Sequence, residues 1–73
     1  SSYRISLEAE KLNYKKLKHI LHNNLNGKNK LSFILINKNK KIEISSKESF
    51  CVDLNFIDQL SSLDGIIDIK QIN

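Results

Sequence analysis

Apolar residues recur along this chain with two different periods. Tyr3, Ile5 and Leu7 alternate with Arg4 and Ser6, the period of a strand half buried on a sheet. After the polar connection Glu8–Lys11, the spacing becomes helical. Leu17, Ile20, Leu21 and Leu25 form one stripe, with Lys15, Lys16, Lys18, His22 and Asn23 on the other side. Asn13 stands where an N-cap belongs. Leu12 and Leu17 take the two positions of a hydrophobic staple around it. The pattern predicts a helix from Asn13 to Leu25, stopped by Gly27.

The period then shortens again. Leu31–Ile36 is a short, β-branched apolar run, which reads as a central strand. Asn37–Lys40 reads as a turn, with Asn39 suited to a left-handed conformation. Lys41–Ser45 alternates cleanly and pairs back as the second arm of a hairpin. Ser46–Ser49 is a polar bridge. Phe50–Val52 reads as a further short strand, and Asp53 as the N-cap of a second helix. Phe56, Ile57, Leu60 and Leu63 form that helix's apolar side. Gly65 supplies the left-handed residue that ends it. Ile67 and Ile69 then alternate with Asp68 and Lys70 in a closing strand.

A helix this short does not hold alone in water, so it needs a sheet to lie on. The expected architecture is α+β, a two-layer sandwich in the order βαβββαβ. Both helices cover one face of a small antiparallel or mixed sheet, close to the split βαβ type. The expected core draws Ile5, Leu7, Phe33, Leu35, Ile42, Ile44 and Val52 from the first strands. It draws Leu17, Ile20, Leu21, Leu25, Ile57, Leu60 and Leu63 from the helices, and Ile67 and Ile69 from the last strand. The outer face of the sheet then carries Arg4, Ser6, Lys41, Glu43, Asp68 and Lys70. If the central strand keeps its alternation, Ile34 and Ile36 join them. Two readings of that pair stand side by side: exposed β-branched pairs on an open sheet mark a contact surface, or a neighbouring loop buries the central strand on both faces. On the first, Arg4, Ile34, Ile36, Lys41, Glu43 and Lys70 are the candidate partner surface.

Composition narrows the chemistry. The chain has 73 residues, enough for one domain with one core. It lacks Met and begins Ser1-Ser2, which suggests a fragment of a longer protein. Its formal charge is +4, and all but one of its twelve basic residues are lysines. Bidentate recognition of phosphate or bases usually enlists arginine, and Arg4 is the only one. A single cysteine excludes an internal disulfide framework and fits a reducing, cytoplasmic setting. No apolar run reaches the length of a membrane helix.

No catalytic constellation emerges. His19 and His22 are three apart, a spacing that can hold a metal, but no carboxylate or cysteine of suitable spacing accompanies them. Cys51 has no activating neighbour in sequence and reads as a small half-buried residue. Asp53 and Asp58 are explained by capping and solvation. Gly27 and Gly65 stand singly, without the glycine pattern of a phosphate loop. Tyr3 and Phe33 lie on strands, where RNA-binding sheets keep stacking residues, yet the glycine-aromatic pattern of such modules is missing. No cofactor and no metal are expected in this segment.

The closing stretch resembles a known family. Phe50-x-Val52, a helix ending in Leu60 and Leu63, then Gly65-Ile66-Ile67-Asp68-Ile69-Lys70-Gln71-Ile72 is similar to the extreme C-terminus of the bacterial DNA polymerase III alpha subunit, its alphaproteobacterial forms above all. Upstream, Tyr3–Leu7 resembles that family's opening strand, and Leu31–Ile36 with Lys41–Ile44 its hairpin. The resemblance covers nearly the whole chain and is carried mostly by apolar pattern. It implies a single module, residues 1–73, at the end of a much longer replicative polymerase. It implies docking to the tau subunit of the clamp loader, with DNA and nucleotidyl transfer belonging to the parent enzyme. The metal-binding aspartates of that chemistry have no counterpart here. The module itself is expected to be monomeric and cytoplasmic. Two other classes share features with the chain. A small-molecule-sensing regulatory domain of the ACT type also alternates strands and helices and closes with Gly-apolar-x-apolar. A small Lys-rich nucleic-acid-binding module would use the basic surface.

Overall fold

The computed structural model describes all residues, Ser1–Asn73. It is an α+β fold with four strands and two helices. The order is β1 (Ser2–Glu8), α1 (Tyr14–His22), β2 (Leu25–Asn37), β3 (Lys40–Ser45), α2 (Leu54–Ser61) and β4 (Ile66–Gln71). The sheet is mixed, in the order β3-β2-β1-β4. β1 and β2 are adjacent and parallel, with α1 as their crossover. β3 and β4 flank them antiparallel as the two edges. The βαβ unit is thus direct rather than split, because no strand is inserted between β1 and β2.

Both helices start as their capping residues dictate. The Asn13 side chain accepts from the Lys16 N–H at 3.1 Å, and Asp53 from the Phe56 N–H at 2.9 Å. Each cap satisfies a backbone donor that the helix itself cannot. Leu12 and Leu17 are both buried beside the first cap, as the staple requires.

The first helix ends earlier than its stripe suggests. Asn23 closes it, and Asn26 takes the left-handed conformation at φ 68°. Leu25 and Gly27 belong to β2, which runs for 13 residues instead of six. Gly27 does not stop a helix. A Cβ there would sit 2.1 Å from the Phe50 carbonyl, so the missing side chain lets the 49–51 segment cross over β2. That segment makes isolated bridges from Phe50 to Leu25 and Asn29, not a strand. At the hairpin, the residue with positive φ is Lys38 (φ 57°), not Asn39. Gly65 does take the expected left-handed conformation, at φ 93°.

The core is one cluster. Ile5, Leu7 and Leu31 supply the sheet side, Leu17, Phe56 and Leu60 the helices, and Leu12, Phe50 and Leu63 the connections. Four expected core residues are neither in it nor packed against it, and one of them, Ile57, is half-buried on α2. Ile42 and Ile44 are 60% and 50% exposed, because β3 is the sheet edge and is exposed along its whole length. Ile67 is exposed because a register shift opposite Ser6 and Leu7 makes Ile66, not Ile67, the partner of Leu7. Such a bulge reverses which alternate residues face inward.

Candidate interaction surface

Strand register fixes what each face of the sheet displays, since side chains directly opposite in a ladder share a face. Ile5 pairs with Phe33 and Ile69, and Phe33 with Ile44; Leu7 pairs with Leu35, and Leu35 with Ile42. Ile5 and Leu7 are fully buried, so this is the helix-covered side. The intervening residues form the other side in three rows. The first is Lys70, Arg4, Ser32 and Ser45; the second Asp68, Ser6, Ile34 and Glu43; the third Glu8, Ile36 and Lys41.

No helix covers this second side. Arg4, Ile34, Ile36, Lys41, Glu43 and Lys70 all lie on it, so the topology brings together every residue of the expected partner surface. Ile34 and Ile36 are half-buried. Ser32, between Arg4 and Ser45, donates its hydroxyl to Glu43 Oε2 at 2.7 Å and is itself buried. That bond holds the Glu43 side chain down across the sheet, beside Ile34.

Charge on this face is unbalanced locally. Arg4 faces Lys70 directly across the β1–β4 pair, and like charges in that position repel modestly. The one ion pair in the molecule is Glu8–Lys11 at 3.5 Å, so neither Arg4, Lys41 nor Lys70 has a partner carboxylate. The face therefore offers two isoleucines set among three cations, Arg4, Lys41 and Lys70, and three carboxylates, Glu8, Glu43 and Asp68.

The other candidates fall elsewhere. Tyr3 and Phe33 pack toward the helices against the core, which leaves the open face without an aromatic ring. His19 and His22 lie on exposed turns of α1, and the His19 Nε2 is 3.1 Å from the Asn23 amide nitrogen. No group of three or more His, Cys, Asp or Glu side chains converges as a metal site requires. Cys51 is exposed rather than half-buried, with its sulfur 4.0 Å from an Asp53 oxygen.

Sequence reasoning missed Ile42 and Ile44 as surface residues. Alternation in Lys41–Ser45 shows that one side of the strand is apolar, but not whether a helix reaches that far across the sheet. Comparison of the chain with family models, curated proteins and solved structures finds no match.

Proposed function

We propose that this domain is a non-catalytic docking module of the kind found at the C-terminus of the DNA polymerase III alpha subunit, and that it contributes to binding the tau subunit of the clamp loader. Its task in that setting is adhesion, with synthesis left to the parent polymerase in the cytoplasm. The observation that carries the reading is the open sheet face, where Ile34 and Ile36 stand in β2, an inner strand, on the side away from the helices. An apolar centre with a charged rim is the usual anatomy of a protein contact. Arg4, Lys41 and Lys70, interspersed with Glu8, Glu43 and Asp68, favour a partner with a matching pattern of both signs of charge, which fixes orientation. The sequence likeness supplies the identity of the partner.

The test is a calorimetric titration of the tau C-terminal domain into this chain and into its Ile34→Thr/Ile36→Thr variant. Threonine keeps the β-branched shape that the strand prefers while removing apolar surface. The proposal expects saturable binding, weakened at least ~10-fold in the variant, which corresponds to a loss of about 1.4 kcal/mol. Absence of binding by the parent chain, or equal binding by the variant, contradicts it. A nucleic-acid-binding role predicts instead an affinity for DNA or RNA that falls steeply with salt.

A further inference from the structure

We propose that two copies of this chain associate through β3, edge to edge and antiparallel, joining two four-stranded sheets into one of eight. This goes beyond tau docking, which uses the face of the sheet, and it replaces the expectation of a monomer.

β3 is a free edge, covered by no other element of the chain. All six of its residues are exposed. The Ser46 N–H donates to the Leu31 carbonyl at 2.8 Å. Hydrogen-bonded pairs alternate along an antiparallel ladder, so Leu35–Ile42 and Phe33–Ile44 are the bonded pairs that follow. Lys41, Glu43 and Ser45 then turn their own N–H and C=O groups away from β2, toward the open edge. A row of such groups is a template for another strand. The opposite edge, β4, is less suited, because the irregularity opposite Ser6 and Leu7 bends it.

Charge selects the occupant and its register. A two-fold axis normal to the sheet keeps helix-side residues opposite helix-side residues, so it can pass beside Lys41, Ile42, Glu43 or Ile44. At Lys41, two ammonium groups would face each other, and at Ile44, Glu43 would meet only Ser45. At Glu43, two carboxylates would face each other. At Ile42, Ile42 meets its own copy, and Lys41 of each chain meets Glu43 of the other. Two unlike-charge pairs form on the outer face, both between the outward-bonding residues. On the helix side, Ile42 meets its own copy with Ile44 diagonal to it, beside the half-buried Phe33 and Leu35, while Ile44 itself faces Lys40 of the other chain. The chain is thus complementary to itself at this edge, in a way that only one register satisfies.

The test is sedimentation velocity on the whole chain over a concentration series reaching the millimolar range. The parent protein is expected to shift from monomer to dimer. Lys41→Glu and Glu43→Lys are each expected to weaken the dimer at least ~10-fold, since two attractive cross-strand pairs become repulsive. Mixing the two variants restores complementarity, so an equimolar mixture associates like the parent. Ile42→Lys, at a 60% exposed position that leaves the core intact, is expected to be monomeric throughout. A parent chain that remains monomeric overturns the proposal. So does a dimer that survives Lys41→Glu or Ile42→Lys, or a mixture that fails to associate. Circular dichroism on each variant separates loss of association from loss of fold.

Discussion

Gly27→Ala adds one methyl group, removes no contact, and yet should rank among the most damaging changes in the molecule. Gly27 lies within β2, and the 49–51 segment crosses directly over it. A Cβ would stand 2.1 Å from both the carbon and the oxygen of the Phe50 carbonyl and 2.2 Å from the Cys51 nitrogen. These are backbone atoms, so no side chain can rotate away, and the segment must move by more than an ångström. Three hydrogen bonds hold it: Asn26 N–H to the Ser49 carbonyl at 3.0 Å, Cys51 N–H to the Asn24 carbonyl at 2.8 Å, and the Asn29 amide to the Phe50 carbonyl at 3.3 Å. Each is worth about 1 kcal/mol. The same shift drags Phe50, 4% exposed, against a packed core, and overpacking of that kind costs about 1–3 kcal/mol. Since part of these losses is recovered by relaxation, the expected destabilisation is about 3–5 kcal/mol. A domain of 73 residues holds about 4–11 kcal/mol in total. The assay is urea unfolding followed by far-ultraviolet circular dichroism, with the exposed neighbour Lys28→Ala as control. With an m-value of about 1.5 kcal/mol/M, the midpoint should fall by about 2–3 M in Gly27→Ala. It should barely move in Lys28→Ala. A fall in the Gly27 variant no larger than in the control would refute the crossing of 49–51 over β2.

Other substitutions probe the remaining joints of the fold. Leu60→Ala opens a cavity at a fully buried site and should cost about 2–5 kcal/mol in the same unfolding experiment; a loss below about 1 kcal/mol would mean that α2 does not face the core. Asp53→Ala leaves the Phe56 N–H without its acceptor and should lower stability by about 1 kcal/mol, whereas Asp58→Ala, away from the cap, serves as the comparison. Lys38→Gly removes the strain of a left-handed lysine at the hairpin and should stabilise by up to about 1 kcal/mol, read as a rise in thermal midpoint; the same change at Asn39 should bring no gain.

Local chemistry made much of this fold legible in the sequence. The caps at Asn13 and Asp53, the staple at Leu12 and Leu17, and the left-handed Gly65 each depend on residues within a few positions, and each has the expected role. What the sequence did not convey is set by contacts between distant segments. Gly27 reads as a helix stop until Phe50 is seen to lie on it. Leu25 belongs to the helical stripe by spacing, but the 49–51 segment draws it into β2. Phe56 and Leu60 share the buried side of α2, while Ile57, which fits the spacing equally well, is only half-buried. Ile42 and Ile44 have the alternation of core residues, yet whether a helix roofs them depends on which strand ends up at the edge. The open face was more predictable, because strand parity alone sorts Arg4, Ile34, Ile36, Lys41, Glu43 and Lys70 from the core-facing residues.

The proposed role is tested most directly by mapping the contact residue by residue. Amide and isoleucine-methyl resonances of this chain can be followed by NMR during titration with the tau C-terminal domain. The account predicts shifts that saturate and cluster on Arg4, Ile34, Ile36, Lys41, Glu43 and Lys70, with the exposed lysines of α1 unmoved. Shifts confined to the helical side, or none at tens of micromolar protein, would contradict it.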